Sequence, residues 1–176
     1  MPTAISHAVA GLGIAACFCG PEVPGSMWAL GALCGALPDV DVLGLRWVRR
    51  GSIWGHRGIT HSVVFAAALA GAIVGLGFRQ GVPGLPPEKM WVFLFLATIS
   101  HSLLDALTDG GAGVALLAPF DNRRFFFPWR PIRVANFGVR WLFTRRGTVV
   151  LTNESKWVWL PSAALAALAL LARRLF

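Results

Sequence analysis

The chain has 176 residues, of which 56% are hydrophobic and 14% charged, and its formal net charge is +8. Soluble domains carry about a quarter charged residues, so the composition excludes an ordinary soluble globule and points to a membrane protein. The length suits one domain, and the excess of Lys and Arg leaves two readings, a nucleic-acid partner or basic loops beside a membrane.

Residues 4–20 (AISHAVAGLGIAACFCG) form a first apolar segment, broken by Pro21 and Pro24. Residues 26–37 (SMWALGALCGAL) form a second, ended by Pro38. Both are short for a hydrocarbon core about 30 Å thick, so they read as two tilted helices or as a re-entrant hairpin. A polar loop covers 39–59, and Thr60 is the candidate N-cap of a third helix over 61–78. A Gly/Pro-rich loop over 79–89 leads to a fourth helix, from Met90 to about Thr108.

Residues 110–155 mix Arg, Phe, Trp, Pro and Gly and read as interfacial structure at headgroup level, part amphipathic and part hairpin. A last helix covers 156–176, with Glu154 as a first-turn acid complementing its dipole. Cys17, Cys19 and Cys34 form no CxxC pair and read as small packing residues. No basic n-region of a cleavable signal peptide precedes the first apolar run. The expected fold is all-α: a polytopic membrane helical bundle of about five hydrophobic helices, with residues 1–176 as one membrane-embedded domain.

This order of elements assigns sides. The N-terminus, the 39–60 loop and the 110–155 segment fall together. That side holds Arg46, Arg49, Arg50, Arg57, Arg123, Arg124, Arg130, Arg133, Arg140, Arg145, Arg146 and Lys156, against Arg79, Lys89, Arg173 and Arg174 on the other. The positive-inside rule places the richer side in the cytoplasm. Trp47, Trp54, Trp129, Trp141, Trp157 and Trp159 crowd the same side, as an aromatic belt does. Basic residues are clustered between the apolar runs, and no helix-turn-helix or other nucleic-acid motif is present, so the membrane reading is preferred and no nucleic-acid partner is expected.

The chemistry-bearing residues converge on this face. In HSLLDALTDGG, His101, Asp105 and Asp109 recur every fourth residue and share one side of the fourth helix. His7 lies near the same end of the first helix, Asp39 and Asp41 follow the second, and His56 and His61 precede or begin the third. Ionisable groups in such apolar sequence pair with something or bind something. Imidazole and carboxylate favour Zn, with Mn or Fe also suited, and the number of donors allows one or two ions. In LPDVD, an extended backbone would project Asp39 and Asp41 the same way, letting one carboxylate bridge two ions. In GHRGITHS, Gly55 and Gly58 allow a tight turn, and Arg57 is placed to clamp a phosphate. Each element also has a plainer reading: a buried His–Asp hydrogen bond, a capping Asp in LPDVD, Asp109 closing the fourth helix.

The order His7, LPDVD, GHRGITHS, HSLLDALTDGG, LLAPF and FFFPWRPI resembles the YdjM-like family of inner-membrane metal-dependent hydrolases, some of them LexA-regulated. The likeness covers nearly the whole chain. It is also similar to the zinc-dependent phospholipase C group, which implies ligand positions at His7, Asp41 or Asp39, His61, His101 and Asp105. The downstream His-x-x-x-Glu pair of that group is missing here, as no His follows residue 101. The resulting expectation is a membrane-bound hydrolase cleaving a phosphoester of a lipid-like substrate at the cytoplasmic face. His7, Asp39, Asp41, His56, His61, His101 and Asp105 are the candidate metal ligands, and Asp39, Asp41 and Arg57 the candidate catalytic groups. The alternative is a divalent-metal transporter or sensor without hydrolysis.

Overall fold

The computed structural model describes residues 1–44, 48, 51–136 and 140–175. Helix α1 spans Ala4–Phe18, α2 Ser26–Ala36, α3 Val63–Gly77 and α4 Pro87–Ala106. Helix α5 (Arg145–Glu154) passes through a π-helical turn (Ser155–Trp159) into α6 (Leu160–Leu175), giving one unbroken rod of 31 residues. Two 3-10 segments, Leu37–Gly44 and Ile59–His61, connect the bundle at the end where the histidines gather. Among the described residues there is no strand. The expected hairpin is reduced to isolated bridges, Val114 with Phe125 and Thr108 with Ile132.

Side-chain caps fix where the helices begin. The Thr3 hydroxyl accepts from the Ser6 amide at the start of α1, and the Thr144 hydroxyl accepts from the Gly147 amide at the start of α5. Ser62, rather than Thr60, caps α3 by accepting from the Phe65 amide. Thr60 is drawn off to donate to Asp41. The last helix starts at Arg145 rather than at residue 156, because the polar turns RRGTVVLTNE hide it from an apolar pattern. Glu154 is therefore inside a helix, fully buried, and not a first-turn acid.

Helix α1 packs on α2, α4 and α6, and α3 packs on α4. Met27, Met90, Phe93 and Leu94 form the centre of the apolar core, with Ala15, Ala70, Cys19 and Cys34 filling around them. Cys17, by contrast, is exposed, and all three thiols are free. The α1–α2 contact is set by missing side chains. A Cβ on Gly11 would lie 2.2 Å from the Gly31 carbonyl oxygen, and one on Gly35 would lie 2.5 Å from that of His7. Small residues let helix backbones approach this closely in membrane bundles. Here they bring His7 and the Gly35 carbonyl to one spot.

The hydrophobic helices expected from the sequence are present. Among the described residues, only the rod Arg145–Leu175 is long and apolar enough to cross a membrane by length and composition, and α1 and α3 are shorter apolar helices of 15 residues each. Trp54 and Trp129 are exposed on the basic face, while Arg46, Trp47, Arg49 and Arg50 lie outside the described residues.

The α1–α2 contact generates a first prediction. Gly35→Ala should destabilise the protein by about 1–3 kcal/mol through overpacking. Gly75→Ala, in open space within α3, should be neutral or stabilising by up to about 1 kcal/mol from helix propensity. Thermal unfolding of the two variants in detergent checks both.

Candidate metal centre

Four segments deliver the site. Helix α4 presents His101 and Asp105 one turn apart, as their spacing predicts, and both are fully buried. Helix α1 delivers His7, also fully buried. The 3-10 segment after α2 delivers Asp39 and Asp41. Three residues per turn send side chains two apart in different directions, so LPDVD is not the extended pair expected from the sequence. Asp39 points toward His101 and His61, with its Oδ1 3.3 and 3.8 Å from their Nε2 atoms. Asp41 points toward the GHRGITHS loop.

That loop is shaped around Arg57. Arg57 takes a left-handed backbone conformation (φ 62°), which strains a non-glycine residue by about 1–2 kcal/mol. Its buried guanidinium repays the strain locally. Nε lies 2.8 Å from Asp105 Oδ2, Nη1 donates to the Gly110 carbonyl at 3.1 Å, and Nη2 donates to the Thr108 hydroxyl at 3.0 Å. Gly111 (φ 98°) is required beneath it, because a Cβ there would lie 2.4 Å from Arg57 Nη1. Arg124 fastens the loop from outside, donating to the carbonyls of Ser52, His56 and Arg57. Arg57 is thus committed to Asp105 and the 108–111 turn, instead of reaching out as a phosphate clamp.

The tautomers follow from the partners. His101 Nδ1 donates to the Gly35 carbonyl at 2.8 Å, since a carbonyl can only accept, and this turns Nε2 inward. His61 Nδ1 lies 3.3 Å from Asp41 Oδ2, which turns its Nε2 inward as well. The two Nε2 atoms are 3.1 Å apart, and Asp105 Oδ2 is 3.5 Å from that of His61. Asp41 accepts from the Thr60 hydroxyl at 2.7 Å and the Arg57 amide at 3.2 Å, and its Oδ1 is 2.7 Å from His56 Nδ1. His7 stacks on His101 with ring centroids 3.5 Å apart, its Nε2 3.7 Å from Asp105 Oδ1.

Electrostatics runs strongly one way. Burial pushes the Asp41 carboxyl up, but hydrogen bonds with His56, His61 and Thr60 prevail and hold it well below the usual carboxylate range. Asp39 is likewise raised by burial and pulled down further by His101. For His61, burial lowers the pKa, but Asp105 and Asp41 outweigh it and raise it to about 9. Three carboxylates therefore face one guanidinium. Moreover, both oxygens of Asp39, Oδ1 of Asp105 and both ring nitrogens of His7 are buried without a hydrogen-bond partner. Native proteins rarely leave such groups unmatched, and a surplus of carboxylate over Arg57 and His61 suits a cation.

Asp39, His61, His101 and Asp105 offer donor atoms within 4.8 Å of one another and could hold such an ion. Asp41, His56 and His61 form a second, overlapping group of the same kind. The donor set, imidazole and carboxylate, fits zinc or a similar divalent ion. All seven residues singled out in the sequence are thus drawn into one region. Asp109 is outside it: its carboxylate accepts from the Val134 amide and its own amide donates to the Ile132 carbonyl. The supporting roles of Gly35, Thr60 and Thr108 were missed, because backbone carbonyls and hydroxyls leave no distinctive mark in a sequence.

Fold and site together define a helical protein with an apolar 31-residue rod and a buried Asp/His centre able to hold a divalent metal. The chain belongs to the YdjM inner membrane protein family, whose model matches residues 1–175. It is 41% identical over 166 residues to inner membrane protein YbcI of Escherichia coli (strain K12), covering 94% of this chain and 95% of that relative. No solved structure matches it. The family places this chain in the inner membrane.

The Arg57–Asp105 contact generates a second prediction. Arg57→Ala leaves a buried carboxylate without its counter-charge and should cost about 3–5 kcal/mol. A thermal or chemical unfolding comparison with wild type in metal-free detergent buffer measures it, and a loss under about 1 kcal/mol would contradict the buried pairing.

Proposed function

We propose that the chain is a metal-dependent hydrolase of the inner membrane that cleaves a phosphoester of a lipid-like substrate at the cytoplasmic face. The observation that carries this reading is the buried ring of carboxylate and imidazole atoms without hydrogen-bond partners, on Asp39, Asp105 and His7, beside the inward Nε2 atoms of His61 and His101.

In this reading Asp39, His61, His101 and Asp105 hold the ion, and His7 extends the set past Asp105 Oδ1. A divalent ion held there would supply Lewis-acid chemistry for a phosphoryl oxygen and a hydrolytic water. The remaining residues fix the geometry. Asp41 orients the His61 ring, as carboxylates behind metal-binding histidines do, and also engages His56. The Gly35 carbonyl orients His101, and Arg57 holds Asp105. Asp39, whose two oxygens have no hydrogen-bond partner, is the carboxylate left free to orient a water.

A cavity of about 440 Å³ opens beside this centre, walled by Gly51, His56, Arg57, Gly111, Ala112 and Val134. Its small, mostly apolar walls suit a slender, lipid-like molecule. Exposed Arg123, Arg130 and Arg133 near the same face attract anionic headgroups at about 1 kcal/mol per cation. Full burial of four of the donor residues would also serve a metal sensor or transporter, and hydrolysis decides between the two readings.

Metal analysis of detergent-purified protein should find a stoichiometric divalent transition metal, with zinc expected first. His101→Ala and Asp105→Ala should lose both the metal and hydrolysis of a lipid-extract phosphoester. Asp41→Asn should keep the site but weaken metal affinity about 10–100-fold. Metal-free wild-type protein, or activity that survives both alanine variants, would sink the proposal. Bound metal without hydrolysis, together with uptake into proteoliposomes, would establish the transporter reading instead.

A further inference from the structure

Glu154 is a fully buried carboxylate that the metal centre does not use directly. It sits on the last turn of α5, against the start of α1. Its Oε1 accepts from the Thr3 amide at 2.7 Å, and its Oε2 accepts from the Thr3 hydroxyl at 2.6 Å and from the Ser6 hydroxyl. Trp159, one π-turn further on, donates its Nε1–H to the Ser6 hydroxyl at 2.8 Å. Thr3 in turn caps α1 by accepting from the Ser6 amide. Every donor in this chain points toward the carboxylate. The negative charge also faces the positive end of the α1 dipole.

His7 follows Ser6 directly. Its amide donates to the Thr3 carbonyl at 3.2 Å, but its ring makes no hydrogen bond at either nitrogen. The position of that ring is therefore set by where the first turn of α1 lies, and by its stack on His101. The first turn of α1 is held by Glu154 on one side and by the close approach of Gly35 on the other. Asn153, the neighbouring residue, faces elsewhere: it accepts from the Arg133 amide and donates to the Pro131 carbonyl. That contact supports the 131–133 segment, not α1.

We infer that Glu154 is a positioning residue for His7, acting through Thr3 and Ser6 to hold the first turn of α1 where the His7 ring meets Asp105 and the metal. This rests on the metal-centre reading above, including the part given there to His7. Residues that support a ligand indirectly typically contribute 10–100-fold in metal affinity.

The test uses the full chain in detergent with Co²⁺ as the probe, reading affinity by chelator competition and coordination by visible absorption. Glu154→Gln should weaken Co²⁺ binding about 10-fold and shift the absorption band. In a His7→Ala background the same change should cost less than about 2-fold, because the residue it acts through is gone. Asn153→Ala, which loses contacts to the 131–133 segment and none to α1, should add fully to His7→Ala. If Glu154→Gln fails to fold, Ser6→Ala removes a single donor and should show the same coupling to His7 at smaller size. Equal losses with and without His7, or no loss, would overturn the inference. Wild-type protein that takes no Co²⁺ would overturn the metal reading and this inference with it, whereas Co²⁺ bound by wild type and lost in His101→Ala isolates the role of Glu154.

Discussion

Three carboxylates set against one guanidinium, inside an apolar bundle, are the constraint around which this protein is built. Asp105 has no exposure at all, and an unpaired ionised carboxylate in such surroundings is prohibitively costly. The chain meets that cost with unusual local geometry. Arg57 accepts a left-handed backbone, Gly111 leaves room beneath its guanidinium, and Thr108 and Gly110 take up its remaining donors. Asp41 is satisfied separately, by His56, Thr60 and a backbone amide. What those contacts leave over is concentrated on both oxygens of Asp39 and on Asp105 Oδ1, which converge without hydrogen-bond partners.

The helices around this point serve it by how closely they approach. Gly11, Gly31 and Gly35 let the α1 and α2 backbones touch, so that one glycine carbonyl can orient His101 while the neighbouring helix supplies His7. Larger residues there would separate the two imidazoles, which stack with ring centroids 3.5 Å apart. Packing in this bundle is thus a condition of the chemistry as well as of stability.

Much of the centre was readable from spacing and order. His101 and Asp105 share a helix face because they are four apart, and the hydropathy pattern alone brings His7, the LPDVD turn and the GHRGITHS loop to the same end. What spacing could not convey was the conformation of short polar connections. LPDVD reads as extended but winds as a 3-10 turn, which divides Asp39 from Asp41. GHRGITHS reads as a tight glycine turn that offers Arg57 to a phosphate but is a cradle whose arginine faces inward. Glu154 had a signal that went unused: Val150, Glu154 and Val158 recur every fourth residue and all three are buried. A charged residue in line with two apolar ones on a helix belongs to an interior contact, and here that contact is the start of α1.

The bond between Thr3 and Glu154 spans 151 residues of chain. At translation rates of about 5–20 residues per second, Thr3 is added to the chain roughly 8–30 s before its carboxylate partner. During that interval the amino end of the first helix has no Glu154 to hold it. The contact that holds the start of α1 is therefore among the last that the growing chain can make. A truncated or stalled product carries His7, Asp39, His61, His101 and Asp105 and still lacks the Glu154 contact at the start of α1.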